Sequence, residues 1–506
     1  MAARAVWRPP WYAWGLLGLA ALGALQRLDP SRLHGRWALI TPALVALGVL
    51  ALRRLWQLPP AATTCAALAL TIFSGAWGQI GLGGLPIDRL LLAIVLLQLF
   101  LLAPGVAQIP RAQIRTVHLL MGLTAIYATG SALAAGTLGS ETGVLSLIDL
   151  FGLAPYLMFL LAPTIFAGRH ERRMLLATLV GVGAYLGLTA IFESLGPHAL
   201  VFPRYILHVD AATPGERAGG PFQSSLAEGF ATYSCAVASA IAWVQWRAEA
   251  RRGLTALAAL AVAVCAFGSF VTLERGVWIA AVLASVTTAL ATRAGRRWIL
   301  PSLLACALVI GAALAISPSL SQKTANRASS QISVWDRQNQ TYAGLRMIAA
   351  KPLFGFGWER YRQDSFDYFR QSPDYPMYGF KPSNAVQGEK TLPLHDTYLA
   401  YAVELGLVGV LLWLATLLWG VGQAIVTPAA TGELRRWKLG LLAIAVFFLV
   451  VAVFNPSQAP FSVMLLWLWA GVAQGGRSLA TQARRAKART RARAARRRAP
   501  LSTEWA

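Results

Sequence analysis

The sequence predicts an all-α polytopic membrane protein of about 14 transmembrane helices, within a range of about 12 to 14. Three observations predict it. Of the 506 residues, 56% are hydrophobic and 13% charged, which leaves too little polar surface to cover a water-soluble fold. The apolar residues fall into blocks of roughly 16 to 26, and a hydrocarbon core about 30 Å thick needs about 20 such residues per helix. The basic residues concentrate in alternate short connections between blocks, the pattern that sets orientation in a bilayer.

In chain order the blocks lie near 11–28, 37–52, 62–80, 86–107, 117–136, 147–168, 174–194, 226–246, 254–273, 277–292, 298–316, 397–422, 438–454 and 459–475. The first follows Arg4 and Arg8, has no small-residue cleavage site and leads directly into further spans, so it reads as a retained helix. The third and fourth are interrupted by Gly81, Gly83 and Gly84, a backbone break. Cys65, Cys235, Cys265 and Cys306 all fall inside spans and read as small apolar packing residues, without a disulfide or metal framework.

The formal charge of +24 could suggest nucleic acid, but its distribution points to topology. Basic clusters recur at Arg53 and Arg54, Arg111 and Arg115, Arg169 to Arg173, Arg247 to Arg252, Arg293 to Arg297 and Arg435 to Lys438, then in a tail from Arg484 to Arg498. An even number of spans puts them all on one face with both termini, and the positive-inside rule makes that face cytoplasmic. Arg27, Arg32 and Arg36 on the opposite face are a mild violation. The tail has Ala between its charges and no interleaved aromatics. It suits anionic membrane lipids and offers no stacking platform for bases, so no nucleic-acid partner is expected.

This topology divides the chain into an N-terminal transmembrane bundle (1–194), helices with Arg-bearing outer loops (195–316), a large outer loop (317–396), C-terminal helices (397–476) and a basic cytoplasmic tail (477–506). The large loop is too long and too aromatic for a simple connection, so a partly helical cap on the outer face is expected. Within it TYAGLRMIAA, 341–350, has helical character and stops at Lys351-Pro352, as an amphipathic helix along the interface would. Asp364 and Asp367, spaced i, i+3, lack a third ligand nearby and read as a solvated helical face. No metal site or cofactor is expected.

Three polar residues converge on the outer face: Arg217 in ERAGGPFQSSLAEGF, Arg275 in TLERGVWIA and His395 in LPLHDTYLAYAVELGLVG. Taken singly, each has an ordinary reading, an interface anchor for an Arg and a solvated side chain for a loop His. Together with KPLFGFG at Lys351 to Gly357, their order from Arg217 to Gly409 resembles the O-antigen ligase and polymerase superfamily of bacterial lipid-linked glycan transferases. In that family an Arg-bearing, Gly-rich stretch precedes one helix and an Arg-Gly turn opens another. A long periplasmic loop with Pro-Leu-x-Gly-x-Gly then ends in His-Asn before Glu-x-Gly-x-x-Gly. Asp396 stands here where Asn is common.

The resemblance implies a glycosyltransferase that moves a glycan from undecaprenyl pyrophosphate to an acceptor hydroxyl at the periplasmic face of the bacterial inner membrane. It implies Arg217 and Arg275 as a pyrophosphate clamp, since guanidinium forks bind phosphate oxygens and stabilise a leaving pyrophosphate without a metal. It implies His395 as general base or acceptor-positioning residue. Asp396 is a good N-cap for a helix starting near Thr397, and the positive end of that helix favours a neutral imidazole. Glu404, an acid inside a predicted span, is expected to face the bundle in a supporting role. Gly355 and Gly357 serve turns or close backbone approach. Trp358 and Tyr361, with Phe366, are candidates for stacking on sugars, with cap packing as the alternative. His198 and His208 are the substitutes should His395 prove dispensable.

Lipid A-core as acceptor makes the protein an O-antigen ligase, the reading placed first. A second lipid-linked glycan makes it an O-antigen or exopolysaccharide polymerase, and a protein hydroxyl an O-oligosaccharyltransferase. A transporter or flippase is disfavoured because the span interiors read as almost bare of ionisable groups apart from Glu404. A structural subunit of an envelope complex would leave the Arg and His positions replaceable.

Overall fold

The computed structural model describes residues 56–76, 87–102, 115–139, 141–151, 153–207, 217–329, 332–369, 394–454 and 459–475. Among them every regular element is helical. The chain forms two compact units, Met1–Ala67 with Pro86–Pro110, and Leu68–Leu85 with Arg111–Ala506. Helix α1 (Pro60–Leu70) runs from one unit's residues into the other's. In the first unit, α2 (Ile87–Leu102) is interrupted in polarity by the buried Gln98, which donates to the carbonyls of Trp56 and Leu58 at 3.2 and 3.3 Å.

The second unit begins with α3 (Thr116–Ala134), α4 (Glu141–Ser146), a π turn at Leu147–Phe151, and α5 (Leu153–Ile165). Next come α6 (Arg169–Leu195), α7 (Ser225–Ala248), α8 (Arg252–Val271), α9 (Arg275–Leu290) and α10 (Arg293–Ile316). Two helices of the large loop follow, α11 (Pro318–Ser329) and α12 (Ile332–Ala350), then the short α13 (Tyr361–Asp364). The chain closes with α14 (Thr397–Glu404), α15 (Gly406–Val426), α16 (Gly432–Val451) and α17 (Pro460–Gly475). Side-chain oxygens of Ser224, Thr292, Asp396 and Thr431 accept backbone N–H groups at the starts of α7, α10, α14 and α16. These are the residue types that satisfy the orphan donors of a first turn.

Among the described residues five helices, α3, α6, α8, α10 and α15, are each long and apolar enough to cross a membrane, and a bent pair, Val144–Phe151 with Pro155–Ile165, makes a sixth if counted as one span. Helix α10 has no buried residue and presents Leu300, Leu304, Leu308 and Ile316, 66, 56, 73 and 82% exposed. An apolar surface of that extent is stable facing lipid tails and unstable facing water. This is a helical membrane protein. Where helices must touch, small residues allow it: a Cβ on Gly268 would lie 2.8 Å from the Gly187 Cα, so α6 and α8 meet backbone to backbone.

Each predicted span from 62 onward carries a helix, whereas the first two spans, the Gly81–Gly84 break and the basic tail lie outside the described residues. Two spans differ from the expectation. The one near 147–168 is bent by 41°. The one near 397–422 is broken between Glu404 and Gly406, where Gly406 takes a φ of +69°. In the large loop, the expected helix at 341–350 ends at Ala350 as the Lys-Pro step requires, but begins much earlier, at Ile332.

Three of the connections read as one basic face are joined by ion pairs. Arg172 bonds Glu433 at 2.8 Å, Arg169 bonds Glu249 at 3.0 Å, and Arg173 also pairs with Glu249. The loops before α6, after α7 and before α16 therefore meet at one end of the helices. Helix α6 has 27 residues, about 40 Å at 1.5 Å per residue. It carries this cluster at its first turn and Glu193 at its last.

Candidate active site

At that far end of α6, the Glu193 carboxylate accepts the backbone N–H groups of Gly219 and Gly220 at 3.1 and 2.9 Å. Gly220 has a φ of +54°, and a Cβ there would sit 2.1 Å from Glu228 Oε2. Only glycine lets the chain turn against that buried acid. Tyr205 Oη donates to the Pro221 carbonyl at 2.9 Å from the other side. The segment 217–222 is thus clamped by two helices and the preceding loop, which directs Arg217.

Arg217 Nη1 donates to Glu274 Oε2 at 3.1 Å, while Arg337 Nη2 donates to Glu274 Oε1 at 3.3 Å and Ser225 Oγ lies 3.4 Å from Oε2. Glu274 is 2% exposed and directly precedes α9, whose first residue is Arg275. Arg337 also lies over the Phe454 ring, 5.7 Å from its centroid. Arg217 Nε is buried without a hydrogen-bond partner among the described residues. Two guanidiniums share the one carboxylate of Glu274, which leaves one positive charge more than that carboxylate balances and suits an anion.

Arg337 and Gln340 lie one turn apart on one side of α12. The Gln340 side chain, 4% exposed, meets His395: its Oε1 accepts the His395 backbone N–H at 3.2 Å and lies 2.8 Å from His395 Nδ1. Asp396 caps α14 by accepting the Leu399 N–H at 3.0 Å. Burial pushes its carboxyl above its ordinary range, against the opposing effect of backbone N–H groups from Leu399 and Tyr398. Helix α12 therefore links the arginine cluster to His395 through two consecutive contacts, Arg337 to Glu274 and Gln340 to His395.

The KPLFGFG segment explains the break between α14 and α15. Phe356 and Gly357 donate to the carbonyls of Val403 and Glu404, at 2.9 and 2.8 Å. Leu407 and Val408 donate back to Pro352 and Leu353, at 2.9 and 3.2 Å. The two strands of backbone interlock through Gly355 and Gly406, both at positive φ. Glu404 ends the short helix α14, where its carboxylate accepts the N–H groups of Glu359 and Tyr361. It is a loop anchor at a helix break, not an acid within a continuous span. Trp358 and Tyr361, 3 and 1% exposed, are sealed into this packing, with Trp358 Nε1 donating to Ser146 Oγ at 3.1 Å. This burial supports the packing role that the sequence offered as the alternative to stacking.

Of the remaining candidates, His198 bonds the Glu193 carbonyl at 3.2 Å, Asp364 pairs with Arg360 at 2.9 Å, and His208 lies outside the described residues. Among the described residues no three of His, Cys, Asp and Glu gather as a metal-holding group. Five residues in or around the site escape a reading of the sequence: Glu193, Glu228, Glu274, Arg337 and Gln340. The first two correct the reading of span interiors as nearly bare of acids, since Glu228 is fully buried and Glu193 is 7% exposed. Their signal was present as acids at the outer ends of apolar blocks. Glu274 adjoins Arg275, but nothing local distinguishes Arg337 or Gln340 within an ordinary helix.

Fold and site together define a helical membrane protein with a cationic cluster coupled to a histidine. Residues 260–414 match the family model described as O-antigen ligase, a stretch of under a third of the chain that contains Arg275, Arg337, Gln340, KPLFGFG, His395 and Glu404. The resemblance to the superfamily of O-antigen ligases and polymerases is thereby supported, and with it a membrane glycosyltransferase type. No curated protein matches the chain.

Proposed function

We propose that the protein transfers a glycan from undecaprenyl pyrophosphate to an acceptor hydroxyl at the periplasmic face of the inner membrane, with inversion and without a metal. The observation that carries this reading is α12, which connects the Arg217–Glu274–Arg337 cluster to His395 through Gln340. Anion binding and proton transfer are the two functions such a reaction needs, and they lie on adjacent turns of one helix. The distance of about 40 Å along α6 between this cluster and the basic loops supports placing the site opposite the cytoplasm.

In the proposed step, the acceptor oxygen attacks the anomeric carbon while His395 takes its proton. The bond from that carbon to the pyrophosphate oxygen breaks, and its electron pair leaves with the pyrophosphate. Arg217, Arg275 and Arg337 offset the charge that develops there. Attack opposite the leaving group inverts the anomeric centre. Lipid A-core is the first acceptor to test, because the matched family is described as O-antigen ligase. A second lipid-linked glycan, as in a polymerase, comes next, followed by a protein hydroxyl.

Purified protein is given undecaprenyl-pyrophosphate-linked glycan, each acceptor in turn, and EDTA. Turnover is expected with the wild type and lost in Arg217→Ala, Arg275→Ala and His395→Ala, with the product's anomeric configuration opposite to the donor's. Turnover surviving all three substitutions would overturn the site, and loss in EDTA restored by a divalent ion would overturn the metal-free reading.

A further inference from the structure

The geometry points to Gln340 as a positioning residue that fixes the tautomer of His395, holding the proton on Nδ1 so that Nε2 carries the basic lone pair. The inference rests on His395 being the base of the proposed reaction. It starts from one atom, Gln340 Oε1, which faces both the His395 backbone nitrogen at 3.2 Å and Nδ1 at 2.8 Å. A backbone N–H can only donate, so the amide atom facing it must be the oxygen. Turning the amide round would set an NH2 group against that N–H. The same oxygen has no proton to offer the ring, so Nδ1 must supply one. In a neutral imidazole with Nδ1 protonated, Nε2 is the acceptor.

The arrangement is rigid enough to matter. Gln340 is 4% exposed on α12, so a competing water has little access to its oxygen. Asp396 fixes the next residue of the His395 backbone by capping α14, and Thr397 N–H bonds the Ala452 carbonyl at 2.8 Å. The histidine is thus held by two bonds to one side chain at the entrance to an anchored helix. The chemistry parallels an orienting acceptor behind a catalytic histidine, with a neutral amide in place of a carboxylate. A neutral acceptor sets direction without strongly favouring the imidazolium, which suits a base that must start neutral beside a cationic cluster.

The test uses the full-length protein in detergent or nanodiscs, with 15N-labelled histidine. His395→Ala assigns the His395 signals among the six histidines. Wild type is expected to show a protonated Nδ1 and an unprotonated Nε2. Gln340→Leu, which removes the acceptor, is expected to lose that signature and to lower kcat about tenfold or more, since general-base catalysis supplies about 10²–10⁴-fold. Gln340→Glu keeps the acceptor and adds charge. It should retain turnover and move the acid limb of the kcat–pH profile to higher pH. An unprotonated Nδ1 in wild type overturns the proposal, as does a folded Gln340→Leu variant with unchanged kcat and pH profile. If Gln340→Leu does not fold, an unmoved acid limb in Gln340→Glu overturns it instead. Turnover in His395→Ala would sink the base assignment itself, while the nitrogen signature would still decide the tautomer.

Discussion

Gly355 and Gly406 lock together with no room for a side chain on either: a Cβ on Gly355 would lie 2.6 Å from the Gly406 nitrogen, and one on Gly406 would lie 2.6 Å from the Gly355 nitrogen. Both also sit at positive φ, +71° and +69°. An alanine at either position meets backbone, which cannot move aside as a flexible side chain can. Gly355→Ala and Gly406→Ala should each destabilise the protein by about 2–4 kcal/mol, combining backbone strain with overpacking. Gly311→Ala, where a Cβ meets nothing within 4 Å, should melt with wild type. Thermal unfolding in a single detergent checks all three, and an unchanged Gly355→Ala melting temperature would contradict the interlock.

Glu274 binds Arg217 and Arg337 together, and removing it leaves two guanidiniums facing each other. Glu274→Ala should cost about 1–3 kcal/mol of local stability, since it removes charged hydrogen bonds but leaves guanidiniums that are 28 and 29% exposed. It should also lower turnover, because the arginines would separate. Glu274→Gln keeps the shape and one acceptor oxygen, so it should fold while binding the lipid-linked donor less well. Donor titration measured as KM distinguishes the two variants. Equal KM and kcat in Glu274→Gln and wild type would remove Glu274 from the site.

The sequence made the helical membrane fold legible because apolar blocks and charge asymmetry are one-dimensional signals set by bilayer thickness and lipid charge. The Asp396 cap and the end of α12 before Lys351-Pro352 were legible for a similar reason, since each depends on a few neighbouring residues. The helix break at Gly406 was not. It is enforced by bonds from a segment about 50 residues upstream, at Pro352 to Gly357. Arg337 and Gln340 were hidden too, because their partners Glu274 and His395 lie on other elements and no local spacing marks them.

Glu193 holds the turn that follows Arg217 through two backbone N–H bonds. Glu193→Gln replaces one acceptor oxygen with an NH2 group facing a donor. The expected cost is about 1–3 kcal/mol, the penalty of an unsatisfied buried group. Because the loosened turn carries Arg217, the donor KM should rise while a His395-dependent pH profile stays in place. Limited proteolysis between residues 217 and 224 reports the loosening directly. A variant as resistant as wild type, with unchanged KM, would show that Glu193 does not position the loop.

Asp396 provides the last test, of stability against pH. Burial holds its folded-state pKa above the unfolded value of 3.8. For an acid shifted upward, the stabilising contribution is fully present below the unfolded pKa and is lost as pH rises through the folded one. Asn can cap a helix as well as Asp and does not ionise. Asp396→Asn should therefore match wild type at pH below 3.8, where the carboxyl is neutral in both states, and should gain on it as pH rises through the elevated value, exceeding it near neutrality. Melting temperatures of the two proteins across that range decide the matter: a wild type that gains on the variant with rising pH would mean that the cap, and not burial, governs the carboxylate.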